Sequence, residues 1–303
     1  MDDSAPLAPG LYLVATPIGN LEDITLRALR VLKQADRIAC EDTRQTAKLL
    51  SHFGIATPTV SYHAHNESAR ARELIDALKH GARIAVVSDA GTPGISDPGA
   101  ILAREAIAAG IAVYPIPGAN AAINALVASG LPSDRFTFHG FLPSKEGARR
   151  TMLEALREYI WVPQVSLLRP GNEAATTHIF YEAPHRIVAT LEDVVAIFGS
   201  AHKVALAREL TKLHEEFLRG TAAEVLAALQ SRPSIRGEIV LLLDGTPTLA
   251  LHPIGESTHA TLGVEVAALL KSGLSEKDAL KQAAKSRGLS KSEAYREWQR
   301  TKR

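Results

Sequence analysis

Two carboxylates lie in a loop that is unusually rich in glycine and proline and that directly follows a short apolar run. The segment is VSDAGTPGISDPG, residues 87–99, and it carries Asp89 and Asp97. Because glycine and proline restrict the shapes that a loop can take, this composition predicts a fixed loop. Glycines admit a close backbone approach to a ligand, and carboxylates accept hydrogen bonds from ribose hydroxyls or an ammonium group. The alternative is an ordinary long loop with aspartate caps.

Two further loops follow apolar runs and contain small residues. The first, residues 16–23, carries Pro17 and Gly19. The second, residues 115–122, reads PIPGANAA and opens the next helix around Asn120. In α/β sheets the backbone N–H groups of such turns face the crevice at the carboxyl ends of the strands, where small ligands bind. Neither loop is a G-x-G-x-x-G or a P-loop motif, so an ordinary connecting turn is the alternative for the first loop.

Polar residues also follow apolar runs in the second half of the chain. They are positioned to rim the opposite face of the same crevice: Tyr181, Glu182, Arg208, Glu209 and Glu238. The alternative is that Arg208 and Glu182 form a structural ion pair, because ion pairs at strand ends are common.

Other reactive residue types have simpler explanations. Glu41 and Asp42 are carboxylates that could act as a base, but capping of the following helix explains them better. His63 and His65 are spaced i, i+2, and the sequence contains no H-E-x-x-H. No metal site is therefore expected.

Apolar runs alternate with amphipathic stretches over residues 11–250, which predicts an α/β fold with a mostly parallel sheet. The predicted strands span 11–15, 37–40, 84–87, 111–114, 136–139, 178–181, 203–208, 215–218 and 238–243. The predicted helices span 26–34, 43–53, 67–80, 101–109, 119–128, 149–159 and 184–198. The last three strands are expected to be neighbours, and a domain boundary is predicted near 118. This gives an N-terminal α/β domain over 1–118 and a second α/β domain over 119–246.

Residues 247–303 form a linker followed by a predicted basic helical module. Three short helices are expected over 265–271, 276–287 and 291–300, joined by turns that contain glycine and serine. Lys277, Lys281 and Lys285 fall on one helix face, so the unit resembles a helix-turn-helix that could lie on a phosphate backbone. A capping or dimerisation role for these helices is the alternative.

Composition limits the class of protein. The 303 residues carry 34 Lys+Arg, 33 Asp+Glu and 46% hydrophobic residues, which is enough apolar material to build cores and too little net charge for a disordered chain. The single cysteine excludes an intramolecular disulfide framework, and no apolar run approaches the roughly 20 residues of a membrane span. The expectation is a cytoplasmic protein with no membrane association.

Six ordered motifs together resemble the RsmI-type family of 16S rRNA (cytidine 2′-O)-methyltransferases, within the tetrapyrrole methylase superfamily. They are LYLVATPIGNLEDIT, EDTRQTAKLL, SDAGTPGISDPGA, PIPGANAAINALVASGLP, FYEAPHRI and ARELTKLHEE. The resemblance runs from about residue 11 to 243 and includes the basic C-terminal helices. It implies two α/β domains with S-adenosylmethionine in the cleft between them, a homodimer, and methylation of a decoding-centre cytidine ribose in 16S rRNA of the small ribosomal subunit.

The same resemblance assigns roles to individual positions. The implied cofactor-binding residues are Pro17, Gly19, Ser88, Asp89, Ala90, Gly91, Ile95, Asp97, Asn120, Ala121, Ala122, Tyr181, Glu182, Ala183 and Glu238. The implied RNA-binding residues are Lys145, Arg149, Arg150, Lys277, Lys281, Lys285, Arg287 and Lys291. Because a ribose hydroxyl is a weak acid, a base or a cation near the reacting oxygen is expected, and Glu182, Lys145 and Arg208 are the candidates.

Two alternatives to this function remain at the level of sequence. One is a methyltransferase with a small tetrapyrrole-like acceptor, and the other is a non-catalytic ribosome-binding factor on the same fold. Residues 160–177 form a longer connection than the family pattern leads one to expect, and a surface loop is predicted there.

Overall fold

The computed structural model describes residues 6–63, 67–161 and 176–246, together with 266, 269–270, 275–286, 294–295 and 298 nearer the C-terminus. The chain divides into two compact units, 1–247 and 248–303. The predicted boundary near 118 falls inside the first unit, and the division there into two α/β domains stays a prediction.

The first sheet has five strands, all parallel, in the order β3-β2-β4-β1-β5. These strands are β1 (Gly10–Val14), β2 (Arg37–Cys40), β3 (Thr59–Ser61), β4 (Arg83–Val87) and β5 (Val113–Ile116). The helices around them are α1 (Leu26–Gln34), α2 (Thr43–His52), α3 (Glu67–Lys79) and α4 (Ala100–Ala108). Because parallel strands end at one edge of the sheet, the loops after β1, β4 and β5 meet at that edge.

Both faces of the first sheet are covered, which explains why its strands are apolar without alternation. On β4, Ile84 and Val86 pack into the core beneath α3 and α4, whereas Ala85 and Val87 pack into the core beneath α1 and α2. A strand that is buried on two faces needs apolar residues at every position.

The second sheet also has five strands, in the order β6-β7-β10-β8-β9, and only β6 and β7 are parallel. Its strands are β6 (Phe136–Phe141), β7 (Thr176–Glu182), β8 (Lys203–Arg208), β9 (Glu216–Thr221) and β10 (Ile239–Gly245). Its helices are α5 (Ala121–Ser129), α6 (Glu146–Trp161), α7 (Ile187–Phe198) and α8 (Ala222–Gln230). Helices α6, α7 and α8 cover one face of the sheet, and α5 covers the other together with Ile18 from the loop after β1.

In the C-terminal unit the structure describes one complete helix, α9 (Glu276–Ser286). Ala279 and Ala283 on its buried face pack with Val266 and Trp298 in a small apolar core. The Trp298 indole N–H donates to Glu276 at 2.7 Å, so this end of the helix is tied to the core by a polar contact as well.

The predicted α/β class is confirmed, and the last three predicted strands do lie side by side. Several element predictions were wrong in detail. β3 and α8 were not predicted, α5 begins two residues later than expected, and β5 extends through Pro115 to Ile116. Proline is tolerated there because β5 is an edge strand, where one N–H need not enter the ladder.

Candidate functional site

A cavity of about 410 Å³ lies where the loops of the first sheet meet the strand ends of the second. We call the side formed by the first-sheet loops and the start of α5 the first wall: Ile18, Asp89, Ala90, Gly91, Thr92, Ile95, Ser96, Asp97, Asn120 and Ala121. We call the other side the second wall: Phe141, Tyr181, Glu182, Ala183, Pro184, Leu210, Glu238, Ile239 and Val240. The cavity is of a size that holds a small organic ligand.

The loop after β4 is fixed to the loop after β1 by backbone hydrogen bonds. Thr16 and Gly91 exchange N–H···O bonds of 2.9 and 3.1 Å, and the Thr16 hydroxyl donates to the Ser88 carbonyl at 3.1 Å. Gly91 has φ +82°, a conformation that favours glycine. The predicted fixed shape of the 87–99 loop therefore has a specific origin in this bridge.

Ser96 and Asp97 occupy the part of that loop that faces the cavity. Ser96 has φ +63°, which is uncommon for a residue with a side chain, and strained positions of this kind cluster at functional sites. Burial raises the pKa of Asp97 to about 6, and the nearby carboxylates of Glu41 and Asp89 add to the rise, which the Ser88 hydroxyl partly offsets. Asp97 therefore exchanges a proton near neutral pH.

Asn120 and Ala121 bring the N-terminus of α5 to the cavity. The Asn120 side chain accepts a hydrogen bond from the Ile123 N–H at 3.1 Å, so this side chain caps the helix. The Thr92 hydroxyl donates to the Ala119 carbonyl at 3.2 Å and ties the 87–99 loop to the same helix start. Small residues at 121 and 122 let the helix lie against the second sheet.

Aromatic and aliphatic side chains dominate the second wall. The Tyr181 ring packs edge to face against Phe138 and Phe141, with ring centroids 4.9 and 5.6 Å away. Ile239 and Val240 are buried beside it. Burial raises the pKa of the Tyr181 hydroxyl, so Tyr181 is protonated at neutral pH and can donate a hydrogen bond.

The structure does not support Glu182 as a base, although Glu182 lines the cavity. Its carboxylate is fully buried and accepts from the Ala183 N–H and Arg186 Nε, both at 2.7 Å, and from the Thr190 hydroxyl at 2.7 Å. Arg186 Nη2 donates to the same carboxylate. With four hydrogen bonds accepted and a fully buried side chain, Glu182 holds the start of α7 in place.

The alternative interpretation, an ion pair between Arg208 and Glu182, is wrong, because each residue has other partners. Arg208 Nε donates to Glu216 at 3.0 Å, and Arg232 donates to Glu216 from the other side at 2.6 and 2.7 Å. The hydrogen bond from Arg232 lowers the pKa of Glu216 to about 2, with a further contribution from Arg208. Arg208 does not line the cavity, so the structure argues against its proposed role at the reacting oxygen.

Glu238 at the rim is held by a lysine that it shares with Glu209. Lys212 Nζ donates to Glu209 at 2.7 Å and to Glu238 at 3.0 Å, and Glu209 also accepts from the Glu238 N–H at 3.0 Å. The Lys212 hydrogen bond lowers the pKa of Glu209. These contacts fix the edge of the second wall.

Eleven of the fifteen predicted cofactor-binding residues line the cavity, and Pro17, Gly19, Ser88 and Ala122 do not. Gly19 instead lies against the 210–212 segment, and a Cβ there would come within 2.9 Å of the Thr211 hydroxyl oxygen. Ser88 is buried with its hydroxyl directed at the carbonyls of Ala90 and Gly91. Both residues hold the loops that carry the first wall. Their binding roles, like those of the eleven, stay predictions.

Two of the predicted RNA-binding arginines form ion pairs with Asp193, and one of them is buried. Arg149 is buried and its Nε donates to Asp193 at 2.8 Å, and Arg150 donates to the other oxygen of Asp193 at 2.7 Å. This contradicts the proposed role for Arg149, because its charge is neutralised in the interior. Lys145 is the exposed residue before α6, and it does not line the cavity. Its position argues against its proposed role at the reacting oxygen.

Lys277 and Lys281 are exposed on α9, as the helical spacing predicted. The side chain of Lys285 and all of Arg287 and Lys291 lie outside the described residues, as does 162–175 of the predicted surface loop. Asp42 caps α2 by accepting from the Arg44 N–H at 2.8 Å, which confirms the capping interpretation.

Eight cavity residues were not among the predicted cofactor-binding residues, although Thr92 and Ser96 lie in the predicted ligand loop and the family resemblance places the segment that begins at Phe141 near the mouth of the cleft: Ile18, Thr92, Ser96, Phe141, Pro184, Leu210, Ile239 and Val240. Each lies within a few residues of one that was predicted, so extending each motif along its loop or strand would have found most of them. The bulge that brings Phe141 to the cavity could not be predicted from the sequence.

Within the described parts of the chain, no group of three or more histidine, cysteine, aspartate or glutamate side chains is arranged to hold a metal ion. None of the helices that the structure describes is both long and apolar enough to cross a bilayer.

A ligand-sized cavity between two sheets is typical of proteins that bind a small molecule, and comparison with known proteins identifies the family. The sequence profile of the family described as Tetrapyrrole (Corrin/Porphyrin) Methylases matches residues 10–226. The chain belongs to this family and is a methyltransferase.

Two similar sequences carry the same name. The chain is 47% identical over 294 residues to ribosomal RNA small subunit methyltransferase I of Halalkalibacterium halodurans, covering 94% of this chain and 93% of that protein. It is 44% identical over 287 residues to the protein of that name from Escherichia coli O157:H7, covering 94% and 93%. Among solved structures, a diphthine synthase superposes with a TM-score of 0.56 at 15% identity, over 77% of this chain and 89% of that one, and shows the shared fold.

Proposed function

We propose that this protein transfers a methyl group from S-adenosylmethionine to the 2′-hydroxyl of a decoding-centre cytidine in 16S rRNA of the small ribosomal subunit. The observation that carries the proposal is the cavity, which combines carboxylates and apolar walls in a chain that is 44 to 47% identical to named small-subunit rRNA methyltransferases. The cytidine, the ribose position and the decoding centre rest on the six sequence motifs.

The residues present fit S-adenosylmethionine. Its adenine ring and the methylene groups of its methionine chain present apolar surface, and Ile18, Leu210, Ile239 and Val240 offer a matching surface. Its ammonium group and its two ribose hydroxyls can donate hydrogen bonds to the carboxylates of Asp89, Asp97 and Glu238, and the same carboxylates offset its positive charge. When bound, this cofactor supplies an electrophilic methyl carbon.

The protein's contribution to the reaction is position and proton acceptance. The backbone bridge between Thr16 and Gly91 and the cap at Asn120 hold the first wall in one shape, and such preorganisation can supply about 7–11 kcal/mol of the barrier. Transfer of the methyl group to the ribose oxygen, with release of S-adenosylhomocysteine, would free the hydroxyl proton, which then needs an acceptor. In our proposal Asp97 takes that proton, because it lies in the cavity and has a pKa of about 6.

We assign recognition of the RNA to surfaces outside the cavity. Lys145 and the α9 residues Lys277 and Lys281 are exposed and free to neutralise phosphates. Affinity for the substrate is then expected to fall as salt rises, by roughly a thousandfold or more between about 50 and 200 mM if six to ten phosphates are contacted. The motif resemblance also implies a homodimer and a cytoplasmic location, and the former is measured directly by light scattering.

The test follows tritium from labelled S-adenosylmethionine into small ribosomal subunits that lack the modification. The labelled RNA is then mapped by its resistance to alkaline cleavage at a 2′-O-methylated ribose. Label on a decoding-centre cytidine supports the full proposal, and label on a base or at another site contradicts its finer part. Absence of label, with cofactor binding shown in parallel by calorimetry, favours a small acceptor or a non-catalytic ribosome-binding factor.

A further inference from the structure

An exposed aromatic residue lies at the rim of the cavity, where a bulge in β6 places it. Phe141 is 58% exposed, more than any other apolar side chain that lines the cavity. We propose that Phe141 stacks on the base of the nucleotide whose ribose is methylated, and is therefore a specificity-determining residue. This inference rests on the proposed function.

The first support is a bulge in β6. Phe138 pairs with Ile179 of β7, but the next pair along the strands is Phe141 with Tyr181, so β6 contains one extra residue between the two pairs. In a regular ladder Gly140 would face Tyr181. Gly140 has φ +70°, which lets the extra residue be absorbed with little strain. The bulge thus places a phenyl ring at the cavity where a regular strand would place no side chain.

The second support is the rigid base under Phe141. The next residue, Leu142, is buried, and its carbonyl accepts from Arg186 Nη2 at 3.2 Å. Arg186 is in turn held by the buried Glu182 carboxylate. On its cavity side the ring of Phe141 contacts Tyr181 edge to face. One such contact engages at most one face of the Phe141 ring, and the exposed remainder can receive a planar group.

The third support is the chemistry of the substrate. To bring a ribose hydroxyl into a cavity this size, the nucleotide must leave its stack, and proteins hold an unstacked base on aromatic rings. Stacking depends on a planar π surface, so phenylalanine, tyrosine and tryptophan serve and leucine does not. Polar groups of the first wall, among them Asp97 and Asn120, line the same cavity, so the ribose can face them while its base contacts Phe141.

The experiment compares Phe141→Ala, Phe141→Leu and Phe141→Tyr in two measurements. One is the kcat/KM for methyl transfer into small subunits that lack the modification, and the other is the Kd of S-adenosylhomocysteine. We expect Phe141→Ala and Phe141→Leu to lower kcat/KM by about 5- to 150-fold, and Phe141→Tyr to stay within about threefold of the wild type. The Kd of S-adenosylhomocysteine should change by less than about twofold in all three variants. Loss of a cofactor contact worth about 1.4 kcal/mol would raise this Kd about tenfold. Phe136→Leu is the matched control, because Phe136 is exposed on the same strand but outside the cavity.

A second arm removes the base from the substrate. On subunits reconstituted with an abasic site at the mapped nucleotide, the kcat/KM of the wild type should fall to the value that Phe141→Ala shows on intact subunits. The kcat/KM of Phe141→Ala should fall little further on the abasic subunits, because the two changes remove the same interaction. A parallel rise in the Kd of S-adenosylhomocysteine would instead assign Phe141 to the cofactor, and wild-type rates in Phe141→Leu would assign it to apolar bulk. A change of molar mass in light scattering would assign it to a subunit contact. Each of these results overturns the inference.

The failure of the inference can be told from the failure of the proposed function. If the wild type labels the mapped ribose and Phe141→Ala does so equally well, only the inference falls. If the wild type places no label on the subunit, the proposed function falls and the inference falls with it.

Discussion

The two walls of the cavity differ in the surroundings that they give to a carboxylate. In the first wall, Asp97 lies in a glycine-rich loop among other carboxylates, and its pKa is raised to about 6. In the second wall, Glu182 is buried at a strand end and accepts four hydrogen bonds. The two carboxylates thus differ in whether they are free to accept a proton. The loop around Asp97 places no cation beside it, whereas the start of the helix after Glu182 supplies Arg186. The first wall offers reactivity, and the second wall offers shape.

The strongest test of this contrast is Asp97→Asn. If Asp97 accepts the hydroxyl proton, the substitution should lower kcat by about 10²- to 10⁴-fold, since that is the usual contribution of a general base. The wild-type kcat should rise with pH through about 6 and then level off, because the raised pKa keeps Asp97 protonated below that point. The variant should lack this limb. Rates of methyl transfer into small subunits across pH give the answer.

The control for that experiment is Asp134→Asn, an exposed aspartate outside the cavity, which should leave the profile intact. An unchanged kcat in Asp97→Asn, accompanied by a higher KM for S-adenosylmethionine, would show that Asp97 only binds the cofactor. The contrast between the walls would then concern binding alone.

Glu182→Gln tests the other side of the contrast. Removing one partner of a buried ion pair leaves the second charge unmatched, so we expect a loss of about 3–5 kcal/mol in the free energy of unfolding, measured by urea titration. The double variant Glu182→Gln with Arg186→Met should recover part of that loss, because no charge is then stranded. Glu192→Gln, at an exposed position on α7, should change stability by less than about 0.5 kcal/mol. A folded Glu182→Gln enzyme with kcat reduced as strongly as in Asp97→Asn would contradict the positioning role.

A histidine cluster inside the second sheet gives this half a further pH dependence. His139 and His178 are hydrogen-bonded ring to ring at 3.0 Å, and burial lowers the pKa of His178 to about 4, with smaller contributions from His139 and His202. Burial also lowers the pKa values of His139 and His202, the latter against the opposing charge of Asp244. Because these groups are protonated more readily in the unfolded chain, stability falls as pH drops from about 6.5 toward 4.

From His178 alone, the protein should be less stable by about 2 kcal/mol at about pH 5 than at about pH 7.5, measured by urea titration at both values. His178→Gln should reduce this difference, and His185→Gln, at an exposed position, should preserve it. Equal stability of the wild type at both pH values would show that the cluster stays solvated or rearranges. The second wall would then be less rigid than its packing indicates.

The smallest effect is expected in the C-terminal unit, where charge is exposed rather than enclosed. Lys277→Gln with Lys281→Gln should raise the KM for small subunits a few fold and lower the slope of log KM against log salt by about 1.5 to 2, if both lysines contact phosphates. Lys79→Gln, on the exposed surface of α3, is the control. An unchanged slope would remove α9 from the RNA-binding surface.

The first wall could be predicted from sequence better than the second. The 87–99 loop can be recognised from glycine, proline and aspartate in one contiguous stretch, and its shape depends on contacts nearby in the fold. The partners of Glu182 could not be found in this way: Arg186 and Thr190 are four and eight residues away, but Arg208 was equally plausible until the strand order was known. Arg149 was predicted to be exposed because it lies in a basic stretch of α6. Its position on the buried face of that helix became clear only from its contact with Asp193.

Backbone irregularities escaped prediction for a related reason. The bulge at Gly140 exists only relative to β7, so no property of residues 136–141 alone reveals it. β3 is three residues long and lacks a strong apolar run, and α8 follows a hairpin whose register fixes where the helix can begin. Local composition specifies loops and long amphipathic helices, whereas pairing partners depend on topology.

The position of β10 has a consequence for how this enzyme is made. β10 is the last strand of its sheet in chain order, yet it lies between β7 and β8, with Ile239 opposite both Glu182 and Arg208. While the chain is being synthesised, the strands that precede β10 present unpaired edges, which makes this half prone to misassembly until β10 emerges. The cavity takes Ile239 and Val240 from that strand. A nascent chain therefore lacks two residues of the second wall until β10 has left the ribosome, so the cavity cannot be complete before that point of synthesis.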